Sequence, residues 1–198
     1  MSQVNGPDSR RRRRSDAERS RTAVLDAATR LLGERPNASL GDIAEAAGVT
    51  RQTVYAHYAS RDALITAVAS HVTGRLLAAM DAVEPDRGPA VPALLRLLDA
   101  AWTAAGWYPA MPEDTVPTPP ESHELHRPIT ERFMRVVQRG QESGEIDRRW
   151  QPRWLATVVI GLAHTAGEEA EAGRMGSDDA VAALHDAVRR LLAPSPLT

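Results

Sequence analysis

The sequence predicts an all-α fold in two parts. These are an N-terminal three-helix domain built on a helix-turn-helix and a larger helical C-terminal domain. Three observations carry this. Apolar residues recur at i, i+3, i+4 and i+7 in most segments between turn signals, the period of a half-buried helix. No segment alternates apolar and polar residues convincingly over the length of a strand. Finally, Leu40 to Leu64, LGDIAEAAGVTRQTVYAHYASRDAL, reads as two short helices about a tight turn, followed by the start of a third.

The elements follow in order. Residues 1–18 are polar and charged, with an unbroken run from Arg10 to Arg14. Such a segment buries too little apolar surface to offset the entropy of ordering, so a disordered arm is expected. Beside DNA it would neutralise phosphates or enter a minor groove; otherwise it is a solvated tail. A helix-turn-helix domain is expected over residues 19–66. Its first helix runs from about Ser20 to Glu34, with Val24, Leu25, Ala28, Leu31 and Leu32 on one face, and Pro36-Asn37 breaks the chain. Ser39 caps the second helix, with Asp42 in the first turn and Leu40, Ile43, Ala44 and Ala47 as its stripe. Gly48 follows the last periodic residue, where a C-terminal cap needs φ > 0. Thr50 stands as N-cap of the third helix, and Arg51, Gln52 and Thr53 form its first turn.

In this layout the motif's second helix enters the major groove with its N-terminal residues against base edges. Arg51 suits bidentate pairing with guanine or a phosphate clamp. Gln52 suits adenine or a water bridge, and Thr53 a thymine methyl or a phosphate. Val54 is expected in the core, and Tyr58 as a core aromatic. A fourth helix begins after Ser60, and Leu64, Ile65, Val68, Val72 and Leu76 continue its stripe to Met80.

The segment from Ala23 to Val68 resembles the DNA-binding domain of TetR-family transcriptional regulators. The resemblance rests on Ile43-Ala44, Ala47-Gly48-Val49, Thr53-Val54-Tyr55, His57-Tyr58 and Ser60-Arg61-Asp62-Ala63-Leu64. It covers about a quarter of the chain. It departs from the family pattern at Gln52, where Gly is common, at Ala59, often Pro, and at Tyr58, where Phe is commonest. The resemblance implies that Tyr55 and His57 reach phosphate oxygens, with Ser39 and Thr50 doing so at their helix N-termini. It implies little about the body, where family members differ most.

The remainder, residues 67–198, is expected to be a helical effector-binding and dimerisation domain. Glu84 to Pro92 is read as a loop, and a helix follows from Ala93 to Gly106. Pro109 to Pro120 is Pro-rich and read as irregular. A helix runs from Glu124 to Ser143, with Ile129, Phe133, Val136, Val137 and Gly140 inside, and Gly144 ends it. The last two helices are expected at about Pro152 to Ala172 and Asp178 to Leu192. From Trp154 to Ala166 the former is apolar almost all round, so it must be covered on every side. These two helices therefore suggest a homodimer interface of four helices about a two-fold axis; a buried helix in a monomeric bundle is the alternative. Six of the eight aromatics fall in this part. Trp102, Trp107, Tyr108, Met111, Phe133 and Met134 are the candidates to line a small-molecule pocket, with His126 and His164 as polar handles. The same residues would serve an ordinary core.

Composition bounds the function. The chain has 198 residues and 42% hydrophobic content, enough for one or two small cores. It lacks Cys, which excludes disulfides, thiolate metal sites and a Cys nucleophile. His123 and His126 stand at i, i+3 with no evident third ligand, so no metal site is expected. No Gly-rich phosphate loop follows a strand, and no G-x-S-x-G pattern occurs. No apolar run approaches the ~18 residues of a membrane span. No signal peptide is expected, and the location is read as cytoplasmic. All 24 basic residues are Arg. Residues 1–70 hold eleven Arg against eight acids, and residues 71–198 thirteen against eighteen, so the basic face lies toward the N-terminus.

These observations predict a non-enzymatic DNA-binding regulator without cofactor. Its expected form is a homodimeric repressor released from a palindromic duplex operator by a small apolar or aromatic ligand. The alternatives are a ligand-independent DNA-binding regulator with a packed body, and a helical protein-interaction module.

Overall fold

The computed structural model describes residues 7–105 and 121–194, with side chains over 15–104 and 126–194. Among these there are eight helices and no strand: α1 (Pro7–Glu34), α2 (Leu40–Ala46), α3 (Arg51–His57), α4 (Arg61–Ala82), α5 (Ala90–Ala105), α6 (Glu121–Ser143), α7 (Pro152–Glu171) and α8 (Ser177–Leu192). The described residues form two compact units, one running to Val72 and the other beginning at Thr73, so α4 contributes to both.

The first unit closes on one cluster. Val24, Leu25, Ala28, Leu31 and Leu32 of α1 meet Leu40, Ile43 and Ala44 of α2, Val54 and Tyr58, and Leu64, Ile65 and Val68 of α4. These are the stripes read from the sequence. The start of α1 differs from expectation: residues 7–18, expected to be disordered, are helical, and the helix begins at Pro7 rather than near Ser20. Pro is at home in the first position of a helix. Each residue added to an existing helix gains a hydrogen bond without a new nucleus, so a helix anchored by packing extends through residues with no apolar face. An Arg19–Asp16 ion pair lies on this extension.

The second unit is a bundle. Met80, Leu94, Leu97, Leu98, Phe133, Val136, Val137, Ile146, Leu155, Val159, Leu184, Val188 and Leu192 share its core. α5 begins at Ala90, three residues before the expected start, and α6 at Glu121, also three residues early. For α5 the reason is plain. Pro92 falls in the first turn, where its missing N–H has no intrahelical partner to lose. The freed Ala90 N–H donates instead to the Glu145 carboxylate at 2.8 Å. Gly140 allows a close approach in this core. A Cβ there would lie 2.4 Å from Ile146 Cδ1 and 2.8 Å from Ala90 Cβ.

Two expectations need correction. α4 has the length and apolar content of a membrane span. A search for uninterrupted apolar runs passes over it because Arg75 and several small polar residues intervene. Its buried residues serve cores instead, Leu64, Ile65 and Val68 in the first unit and Met80 in the second. α7, expected to be covered on every side, is covered within the chain on one. Leu155, Ala156, Val159 and Gly167 are buried, whereas Trp154, Thr157, Gly161, His164 and Thr165 are exposed.

Candidate nucleic-acid interface

Both helices of the helix-turn-helix have seven residues, far below the roughly 12–15 at which an isolated helix is even marginal in water. Their ends are therefore closed by side chains. At α2 the capping box is complete. Ser39 Oγ accepts from the Asp42 N–H at 3.2 Å, and the Asp42 carboxylate accepts from the Ser39 N–H at 2.8 Å and hydroxyl at 2.7 Å. These bonds from Ser39 hold the Asp42 carboxyl below its ordinary value, with smaller help from the charges of Arg35 and Arg51. At its other end Gly48 takes φ 66°. The Gly48 N–H donates to Glu45 O and the Val49 N–H to Ala44 O, each at 3.0 Å, which is a Schellman closure. Thr50 caps α3: its hydroxyl oxygen accepts from the Thr53 N–H at 3.1 Å and lies 2.9 Å from the Thr53 hydroxyl.

The two faces of α3 differ sharply. Val54 is fully buried and Tyr58, its C-cap residue, is 5% exposed, as the sequence led us to expect. Arg51, Gln52 and Tyr55 are exposed together with the caps Ser39 and Thr50; Thr53 and His57 are half-buried. All seven residues named as DNA contacts thus keep solvent access. Three of their hydroxyls, those of Ser39, Thr50 and Thr53, are already engaged in capping. Two local features went unread in the sequence. The Arg61 guanidinium donates to Pro36 O, tying the start of α4 to the loop before α2. The Arg51 side chain lies over Gly41 of α2, where a Cβ would come within 2.6 Å of Nη2 and 2.7 Å of Nε. A Gly inside a helical pattern was the available signal, since it costs helix stability and so implies a close neighbour.

In the second unit, Phe133 is buried in the core, and Trp102 and Met134 pack half-buried against it. His126 and His164 are both exposed, and near enough for their charges to interact. The His164 imidazole is shifted below its ordinary pKa, first by burial and then by His126, although an edge of the residue remains in solvent. Trp107, Tyr108 and Met111 lie outside the described residues, as does the His123 side chain. Among the described residues no group of three His, Asp or Glu is placed to hold a metal. Trp150 and Trp154 stack with ring centroids 4.8 Å apart, and both are exposed.

Comparison with known proteins bears on both units. Residues 24–68 match the family model described as bacterial regulatory proteins, tetR family. Over 83 residues the chain is 46% identical to the HTH-type transcriptional repressor LfrR of Mycolicibacterium smegmatis, a stretch covering 42% of this chain and 44% of that protein. The match therefore spans less than half the length of this curated relative. The crystal structure of LfrR from Mycobacterium smegmatis in complex with proflavine superposes with a TM-score of 0.70 at 29% identity, over 90% of this chain and 99% of that one. PfmR of Thermus thermophilus, at 21% identity, shares the fold with a TM-score of 0.66 over 84% of this chain and 97% of its own. The matched segment is the same stretch whose caps, turn and exposed α3 face are described above, and the likeness of fold extends through the helical body. Residues 24–68 thus match the TetR-family DNA-binding segment, and the chain shares its fold with the TetR-like regulator LfrR.

Proposed function

We propose that this chain is a DNA-binding transcriptional repressor acting as a homodimer in the cytoplasm, with no enzymatic activity. One observation carries the reading above all: α3 places Arg51, Gln52 and Tyr55 in solvent over a buried Val54. Exposed donors and acceptors on a short helix held from behind are what major-groove reading needs. Gln52 and Thr53 address base edges, Arg51 a guanine or a phosphate, and Tyr55, His57, Ser39 and Thr50 the backbone. α1 carries the run Arg10 to Arg14, which supplies further phosphate neutralisation.

The uncovered faces of α7 and α8 support a two-fold partner. Trp154, Thr157, Gly161 and Thr165 on α7 and Ala182 and Ala183 on α8 are exposed, mostly small or apolar, and suited to close helix approach. Two heads related by a two-fold axis read a palindromic site. In the second unit Trp102, Phe133 and Met134, with His126 and His164 as polar groups, are the described candidates for a small apolar or aromatic effector, and Trp107, Tyr108 and Met111 remain candidates outside the described residues. LfrR binds proflavine, so proflavine is the first ligand to try. The effector shifts the protein only by its differential affinity for the DNA-competent and DNA-incompetent states.

Selection of bound duplexes from a random pool tests the reading. The expected product is a palindrome bound by one or more dimers, and proflavine or another planar aromatic is expected to weaken binding by a coupling of roughly 1–3 kcal/mol. Failure to retain any duplex at low salt refutes DNA binding. A lone asymmetric half-site refutes the dimer. Affinity indifferent to every aromatic ligand tried, with none of them bound, refutes the effector.

A further inference from the structure

We propose that Gly41, on α2 and outside the set of DNA-contacting residues, is a specificity determinant that acts by seating the Arg51 side chain. The inference rests on the reading of α3 as the DNA-reading helix. The geometry is direct. An ideal Cβ on Gly41 would lie 2.6 Å from Arg51 Nη2, 2.7 Å from Nε and 2.8 Å from Cζ. No carbon shares space with a guanidinium at those distances, so the planar group occupies the volume that the missing side chain leaves. A second observation agrees. The adjacent Asp42 is ionised and fixed by its capping bonds to Ser39, and it feels the Arg51 charge. The seat thus has a steric floor at Gly41 and an anionic wall at Asp42, both on α2.

The consequence concerns direction. Arg51 is the first residue of α3, where a side chain reaches base edges or backbone phosphate according to its rotamer. Its guanidinium forms a rigid fork, so a change of direction changes which acceptors it meets. A methyl group at position 41 closes the seat. The obstructing atoms are the end of a flexible side chain, so the helix pair accommodates Ala and Arg51 moves. Replacing a helical Gly by Ala also favours the α2 helix itself, so the variant folds. Gly41 therefore sets the base preference of the protein without touching DNA.

The test is a four-member cycle of the full chain: wild type, Gly41→Ala, Arg51→Ala and the double variant. Each is taken through the same random-pool selection, and each is measured by NMR for the Arg51 Nε–Hε resonance (where Arg51 is present) and the Asp42 carboxyl titration. In Gly41→Ala the Arg51 resonance is expected to shift, and the Asp42 titration to move upward as it does in Arg51→Ala. The base preference is expected to change, by threefold or more, at the operator positions that Arg51→Ala alters. The double variant is expected to match Arg51→Ala alone. A Gly41→Ala profile identical to wild type overturns the inference, as does an equal Gly41→Ala effect in the Arg51→Ala background. If wild type selects no sequence while the Arg51 resonance still shifts in Gly41→Ala, the seat stands. The DNA reading then falls, and the specificity role with it.

Discussion

Tyr58 carries a hydroxyl into the first core, and that oxygen is a liability. The residue is 5% exposed in the first core, and its hydroxyl is buried with no hydrogen-bond partner among the described residues. An unsatisfied buried polar group costs about 1–3 kcal/mol. Tyr58→Phe removes that cost, leaves the ring packed against Val54 and its neighbours, and opens a gap of only one atom. The vacated space returns a few tenths of a kcal/mol through lost contacts. The expected net result is stabilisation of about 1–2 kcal/mol. Urea denaturation should show a higher midpoint with an unchanged slope, since the surface exposed on unfolding does not change. Operator affinity should stay within twofold, because a buried hydroxyl makes no phosphate contact. Lower stability would show that the hydroxyl is bonded in solution. A tenfold loss of affinity at unchanged stability would show that it serves DNA instead.

Three further outcomes follow from particular contacts. Thr50→Ala removes the side-chain acceptor for the Thr53 N–H at the head of α3; a loss of about 0.5–2 kcal/mol is expected in denaturation, with weakened operator binding. Gly140→Ala drives a methyl into Ile146 and Ala90; overpacking should cost about 1–3 kcal/mol, and a neutral result would show that the α5–α6 contact yields freely. His164 has a depressed pKa in the fold, from burial first and His126 second. The unfolded chain therefore binds the proton more readily, and the stabilising contribution is complete above about pH 6.5 and lost as pH falls through the folded value. Denaturation midpoints of His164→Gln should depend less on pH between 7.5 and 5 than those of wild type; parallel curves would remove His164 from the account.

What was legible in the sequence was what periodicity and capping chemistry dictate. Val24 to Leu32, Leu40 to Ala47 and Leu184 to Leu192 announce their buried faces by spacing alone, and Ser39, Gly48 and Thr50 announce the ends of α2 and α3 by residue type. The exposed face of α3 followed from the same pattern. The N-terminal extension of α1 was not legible, because Pro7 to Ser20 has no apolar face and its helicity depends on anchorage further along. The start of α5 was missed because Pro92 reads as a breaker in sequence and is harmless in a first turn. The seat of Arg51 on Gly41 joins residues of two helices through a turn whose angle no residue spacing specifies. The exposed stack of Trp150 and Trp154 was not legible, because Trp150 lies before the start of α7 at Pro152 and no helical spacing joins it to Trp154.

The separation of roles in the first unit changes how losses of DNA binding should be read. α2 and α3 are too short to hold themselves, so the direction of every exposed side chain on α3 is set from behind by residues that never meet DNA. Ile43 and Val54 pin the two helices onto the α1 and α4 stripe, and both are fully buried. Truncating either would cost about 2–5 kcal/mol for Ile43→Ala and somewhat less for Val54→Ala, as the cavity term adds to lost transfer energy. Losses of that size would weaken operator binding as severely as removing a base contact. A loss of affinity alone therefore does not identify a contact. The selected sequence does: a core variant should bind the wild-type palindrome more weakly with its base preferences intact, whereas a change at Arg51, Gln52 or Gly41 should alter the preferences themselves. Val54→Ala that keeps full stability yet selects a different operator would refute this division, and would place the α2–α3 angle among the determinants of specificity.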